Sequence, residues 1–224
     1  MNYRPNLYMH RYVFTNSIVV IIIVFIMDCM LVDVCVVCCS VIDVVFIVGS
    51  QSQSGWTQLR SFVNLIVDRF TISQYALYGA FVSYGSNANV VIRLNQYYDK
   101  ELFKQHVSGI NWPGNAVNMA DALNALRNQV FVTNSGARSG TPWVAVVITD
   151  RVPDQTQNAV SAANQARAAG IQIIPVGVDQ NQQLNSFLQQ IAFAQARMTV
   201  VQQYSQLSGV AVQAANWVCN SHLS

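Results

Sequence analysis

Three short apolar runs constrain this chain more than any other feature: "DVVFIV" from Asp43, "WVAVVITD" ending on Asp150, and "IQIIPVGV" from Ile171. Each is rich in β-branched residues and lacks the polar alternation of a half-solvated strand. Both faces of each must therefore be buried, which is the pattern of parallel strands covered by helices. The segments between them supply those helices. "SGWTQLRSFVNLIVDRF" puts Trp56, Leu59, Phe62, Val63, Ile66 and Phe70 on one stripe. "YALYGAFVSYG" and "ANVVIRLN", separated by "SNA", read as an antiparallel hairpin. Asp99 caps a helix through "KELFKQHVSGI", "NWPGN" is a loop, and a helix runs from about Val117 to Val130. After the loop "SGARSGTP" and the second long strand comes "PDQTQNAVSAANQARAAG", a helix opened by Pro153 and Asp154 and closed by Gly170. A helix "QLNSFLQQIAF", a short strand "MTVVQ" and a last helix "YSQLSGVAVQAANWVC" complete the alternation.

The expected fold class is therefore α/β: a doubly wound, mostly parallel, Rossmann-like sheet with helices on both faces. Strands at Asp43–Val48, Val144–Thr149 and Ile171–Val176 are expected to lie adjacent and parallel, with "ANVVIRLN" antiparallel at one edge. In such sheets ligands bind at the carboxyl ends of the strands, where strand order reverses. That rule places "GSQSQS", "NWPGN" and Asp150 on one rim.

The N-terminus is a different kind of sequence. Arg4, His10 and Arg11 precede "IVVIIIVFIM", an unbroken apolar run from Ile18 to Met27. It is shorter than the roughly 20 residues of a membrane span and matches a signal-peptide core. Apolar character resumes in "CMLVDVCVVCC", so a signal anchor stays open as the alternative. The expected organisation is a leader over 1–40, one domain over 41–219 and a tail over 220–224. Either reading of the leader puts the domain across a membrane, secreted or held outside by a single span. Only 10% of residues are charged, against about 25% in an average soluble domain, and the net charge of +2 is scattered. With no basic stripe, nucleic acid is excluded as a partner. Of five cysteines, Cys29, Cys35, Cys38 and Cys39 precede the domain and Cys219 nearly ends it. That spacing does not suit zinc and reads as a staple between the domain's ends.

The order and spacing of these landmarks, with "PGNAVNMADAL" ahead of "VVITD" and "AAGIQIIPVGV", resemble a von Willebrand factor type A domain. The flanking cysteines resemble those of its matrilin and collagen-associated branch. The resemblance implies an extracellular adhesion module, not an enzyme, that binds a matrix or cell-surface protein, collagen-like proteins included. It also implies a disulfide from Cys39 or Cys38 to Cys219, although leader cleavage after Ser40 would remove both partners.

In that family the rim commonly holds a metal-ion-dependent adhesion site. Its elements are Asp-x-Ser-x-Ser after the first strand, a Thr in a second loop and an Asp ending the fourth strand. Mg²⁺ takes six hard oxygens, which explains these residue types. This chain departs at two of the three elements. A strict count from Asp43 puts the motif Asp on Gly49, matching "VGSQS" puts it on Val48, and a deletion leaves Ser50 and Ser52 as the hydroxyls. No Asp or Glu occurs between Asp43 and Asp68. Val117 and Met119 stand where the loop Thr residues should be.

Asp150 survives, followed by Arg151, which either is simply an exposed arginine or lies near Asp150 and supplies positive charge locally. Residual Mg²⁺ ligands are thus Ser50, Ser52 and Asp150, and metal binding is expected to be too weak to matter. The expected binding rim is Ser50, Ser52, Trp112, Asn115, Asp150 and Arg151, with Trp112 either a partner anchor or a lid on the core. The alternative function is an α/β enzyme or small-ligand binder using Ser50, Ser52 and Asp150. No histidine is expected on the rim to act as base, His106 falling on a helix surface, and no G-x-S-x-G, Walker or G-x-G-x-x-G motif is present.

Overall fold

β1 (Asp43–Gly49) is buried along its whole length, and the sheet is built outward from it. The structure is a computed structural model and describes residues 41–115, 118–179 and 182–223. The leader and Cys29, Cys35, Cys38 and Cys39 lie outside the described residues. β2 (Tyr78–Tyr84) pairs parallel to β1 on one side and β4 (Trp143–Thr149) parallel on the other. β3 (Ala88–Ile92) is antiparallel to β2 at one edge, while β5 (Ile171–Val178) and β6 (Thr199–Val201) extend the parallel half. The strand order is β3-β2-β1-β4-β5-β6. The three long apolar runs are thus adjacent and parallel, and "ANVVIRLN" sits antiparallel at the edge.

The period-two geometry of a strand divides β1 between two cores. Val44, Phe46 and Val48 face α1 (Gln53–Val67), α2 (Lys100–Gly109) and α6 (Leu207–Cys219). Val45 and Ile47 face α3 (Met119–Ala125), α4 (Thr156–Ala168) and α5 (Gln182–Ile191). Asp99 caps α2 by accepting the Leu102 N–H at 2.8 Å, and Gly170, with φ +83°, follows α4.

Two helices differ from expectation at their ends. α3 gives way to a π turn, Leu126–Val130, in which the Phe131 N–H reaches back to Leu126 and Phe131 stacks on Trp143 at 5.3 Å. α4 starts without a side-chain cap: Gln155 stands at the cap position and its side chain bonds no helix N–H, while the carboxylate of Asp154, one residue earlier, pairs with Arg151 at 2.5 Å. At the chain's far end a 3₁₀ turn, Asn220–Leu223, follows α6, and the Ser221 carbonyl accepts Gln172 Nε2 at 2.7 Å. Cys219 is disulfide-bonded; its expected partners, Cys38 or Cys39, fall outside the described residues.

The base of the sheet depends on one fully buried charge, Asp43. Arg138, in the loop before β4, donates its backbone N–H to Oδ2 at 2.7 Å and its Nε to Oδ1 at 2.8 Å. Its Nη2 also reaches the Ile42 carbonyl at 2.9 Å, and the guanidinium lies over the Tyr78 ring, 3.7 Å from the centroid. One side chain thereby ties the starts of β1 and β2 to the loop entering β4. Burial pushes the Asp43 carboxyl above its ordinary range, and Arg138 opposes that shift. Removing one partner of such a pair strands the other charge out of water. Arg138→Ala should therefore lower the unfolding free energy by about 3 kcal/mol, read as a lower denaturant midpoint. Arg138→Lys should recover only part, since an ammonium lacks the planar fork.

Candidate functional site

From β1 the chain winds outward through β2 and β3, then returns to place β4 on the other side of β1. The reversal makes the carboxyl ends of β1 and β4 the crevice of the sheet. The register pairs Gly49 with Thr149, so the next residues, Ser50 and Asp150, meet side by side.

Asp150 is the hub of this crevice. Ser50 Oγ donates to Oδ2 at 2.5 Å, the Gln51 N–H donates to Oδ1 at 2.9 Å, and the Tyr204 hydroxyl donates to Oδ2 at 2.7 Å. Ser50 is fully buried and Asp150 is 5% exposed. Ser52 does different work: its Oγ accepts the Gly55 N–H at 3.1 Å and caps α1. Tyr204, on a 3₁₀ turn just before α6, had no signal in the sequence reading, since nothing in "QQYSQL" points toward Asp150. Burial first, then the hydrogen bond and charge of Asp150, push its phenol well above the ordinary tyrosine range. It therefore stays protonated and remains a donor.

Two glycines record how tightly the crevice is filled. A Cβ on Gly55 would lie 2.4 Å from Tyr204 Oη, 2.6 Å from Ser50 Oγ and 2.7 Å from Asp150 Oδ2, so three oxygens converge on the first turn of α1. A Cβ on Gly49 would lie 2.4 Å from Cζ of Tyr84, whose ring covers that position. Val48, the other candidate place for the motif carboxylate, is buried in the apolar core on the α1 face. The reading with the Asp deleted suits this geometry.

The remaining rim residues are gathered on nearby loops. The Trp112 indole N–H donates to the Ser50 carbonyl at 3.1 Å, and its half-buried ring packs against the core. Asn115 is exposed, and its carbonyl accepts Arg151 Nη1 at 3.3 Å. Of the two readings of Arg151, pairing with Asp150 is not the one found. Three donors already occupy most of that carboxylate, and the guanidinium pairs with Asp154, three residues on. Val117 lies outside the described residues, and Met119 is buried on the α3 face.

The family's adhesion site asks for several convergent oxygens and more than one negative charge around a hard dication. Here one carboxylate is present, with both oxygens already accepting hydrogen bonds from the protein. Among the described residues no group of three His, Cys, Asp or Glu side chains converges. Of that site's oxygen ligands the described residues retain Ser50, Ser52 and Asp150.

An open, mostly parallel sheet with helices on both faces and a polar crevice at its switch point defines a doubly wound α/β domain. The chain belongs to the von Willebrand factor type A domain family, whose sequence model matches residues 43–213. It is 33% identical over 144 residues to matrilin-3 of Mus musculus, covering 62% of this chain and 30% of that one. The collagen alpha-6(VI) chain of Homo sapiens is 26% identical over 145 residues, which cover 62% of this chain and 6% of the relative. The chain thus spans less than a third of the length of these curated relatives. Among solved structures, proximal thread matrix protein 1 from the mussel byssus superposes with a TM-score of 0.74 at 19% identity, covering 82% of this chain and 49% of that one. The same protein has been solved with a zinc-occupied MIDAS motif.

The Tyr204–Asp150 bond gives a signed prediction. Above pH 10, where an unfolded tyrosine ionises, the folded protein still holds the Tyr204 proton, so the native state binds more protons and stability falls as pH rises. Tyr204→Phe should cost about 2 kcal/mol at pH 7, by loss of a hydrogen bond to a carboxylate. Between pH 9 and pH 11 the variant's denaturant midpoint should fall less than that of the unsubstituted protein.

Proposed function

We propose that this chain is an extracellular adhesion module that binds a matrix or cell-surface protein, collagen-like proteins included, through its rim and without a metal ion. The observation that carries this reading is the closed shell around Asp150. A carboxylate bonded by Ser50, Gln51 and Tyr204 already gives three of its four lone-pair sites to donors of the protein, which an incoming dication would have to displace. Recognition then rests on the surface around it: the half-buried Trp112 ring, the exposed Asn115 amide and the partly exposed Arg151 guanidinium. The relatives' names, a matrilin and a collagen chain, support a matrix setting.

In this reading residues 1–40 deliver the domain across a membrane, and a bond from Cys39 or Cys38 to Cys219 closes it. Among the described residues no helix is long and apolar enough to cross a membrane. An enzyme built on Ser50 is disfavoured because its hydroxyl is fully buried and is already given to Asp150, with no imidazole among the crevice residues described above.

Calorimetric titration of Mg²⁺ and Mn²⁺ into the protein should give no submillimolar binding. Retention on an immobilised extracellular-matrix extract should be unchanged by EDTA and reduced at least ten-fold by Arg151→Ala combined with Asn115→Ala. Submillimolar Mg²⁺ affinity, or retention lost in EDTA and restored by Mg²⁺, would sink the metal-free reading. For the disulfide, peptide mapping without reductant should link the Cys219 peptide to the one carrying Cys38 and Cys39, and a freely alkylated Cys219 would refute the bond.

A further inference from the structure

Beside the rim, β3, α2 and the Trp112 loop enclose an open groove of about 670 Å³, within the size range of ligand sites. No Asp, Glu, Lys or Arg lines it. Two aromatic rings form its walls, and both are held in place. Trp112 is fixed by its indole bond to the Ser50 carbonyl, and Tyr97 stacks on His106 at 4.3 Å while its hydroxyl accepts Gln96 Nε2 at 3.1 Å. His106 Nδ1 bonds to the Leu102 carbonyl at 2.8 Å, so in the neutral ring Nδ1 is the donor and Nε2 is left as an acceptor. The amides of Asn89, Gln105 and Asn111 also line the groove, and all three residues are exposed.

We propose that this groove binds a neutral saccharide chain. A pyranose ring offers an apolar C–H face for a flat aromatic wall and a rim of hydroxyls for planar amides, each of which carries a donor and an acceptor side by side. Other chemistries fit the lining less well. A charged ligand would enter a site with no counter-charge, and a purely apolar one would leave the amides desolvated and unpaired. An extended peptide would add to the free edge of β3 through backbone bonds. Two of the edge's donors are already taken from within the chain, the Ala88 N–H by Asp121 Oδ2 at 2.7 Å and the Arg93 N–H by Gln96 Oε1 at 3.1 Å. Because the rings are immobilised before binding, little side-chain entropy is left to lose.

The test uses the full chain and free oligosaccharides, with no protein partner, so its outcome is independent of the rim reading above. Cello-, manno-, chito- and galacto-tetraose, a sulfated heparin tetrasaccharide and an uncharged extended peptide are titrated while Trp fluorescence is followed, with and without EDTA. At least one neutral tetrasaccharide should bind saturably below millimolar concentration, insensitive to EDTA. Trp112→Ala should weaken it at least ten-fold and Trp112→Phe much less. Since Trp112→Ala also removes a bond to the Ser50 loop, Asn89→Ala, an exposed change on the edge strand, serves as the second variant and should weaken binding about three- to ten-fold. Failure of every neutral sugar at millimolar concentration would overturn the proposal, as would binding of the sulfated chain or the peptide alone, or sugar binding that Asn89→Ala and Trp112→Ala both leave unchanged.

Discussion

Strands buried on both faces can keep their polar chemistry only at their ends, and this sheet resolves that constraint with one carboxylate at each end. At the base, Asp43 is matched by a cation, and Arg138 gives its Nε to Asp43, its Nη2 to Asp43 and the Ile42 carbonyl, and its flat face to Tyr78. At the rim, Asp150 is matched by neutral donors, two hydroxyls and one amide N–H. The two solutions differ in consequence. The ion pair fixes where three segments begin, whereas the hydrogen-bonded rim joins the β1 loop, the end of β4 and the turn before α6 into one surface.

How much of this could be read in the sequence follows from the range of each interaction. Burial on both faces leaves a local imprint, so "DVVFIV", "WVAVVITD" and "IQIIPVGV" declared a central parallel sheet, and Asp99 and Gly170 declared their helix ends. Asp154 misled because its charge suited a cap equally well; the helix begins one residue later, with Gln155 at the cap position, and Asp154 pairs with Arg151. Tyr204 lies 54 residues from Asp150 and reaches it from another element, so no spacing rule could find it. The π turn after α3 was equally invisible, since Leu126–Val130 has an ordinary helical composition.

Trp112 is the point where crevice and groove meet. Its indole N–H bonds to the Ser50 carbonyl while its ring forms a wall of the groove, so the loop that carries Ser50 to Asp150 also sets the aromatic wall. With 10% charged residues in the chain, the groove presents amides and rings, and the rim adds one guanidinium, Arg151, already paired with Asp154. Association with either would lack long-range electrostatic steering and depend on the fit at contact.

The Tyr84 ring over Gly49 also bears on which substitutions such a chain can accept. A carboxylate cannot be accommodated at position 49 by a single substitution, because any side chain there meets that ring. Room for one demands a simultaneous change at Tyr84, a fully buried residue whose own replacement would open a cavity. Either change made alone therefore costs stability. Positions 49 and 84 can vary only together, which leaves the exposed rim and groove as the freer ground for substitution.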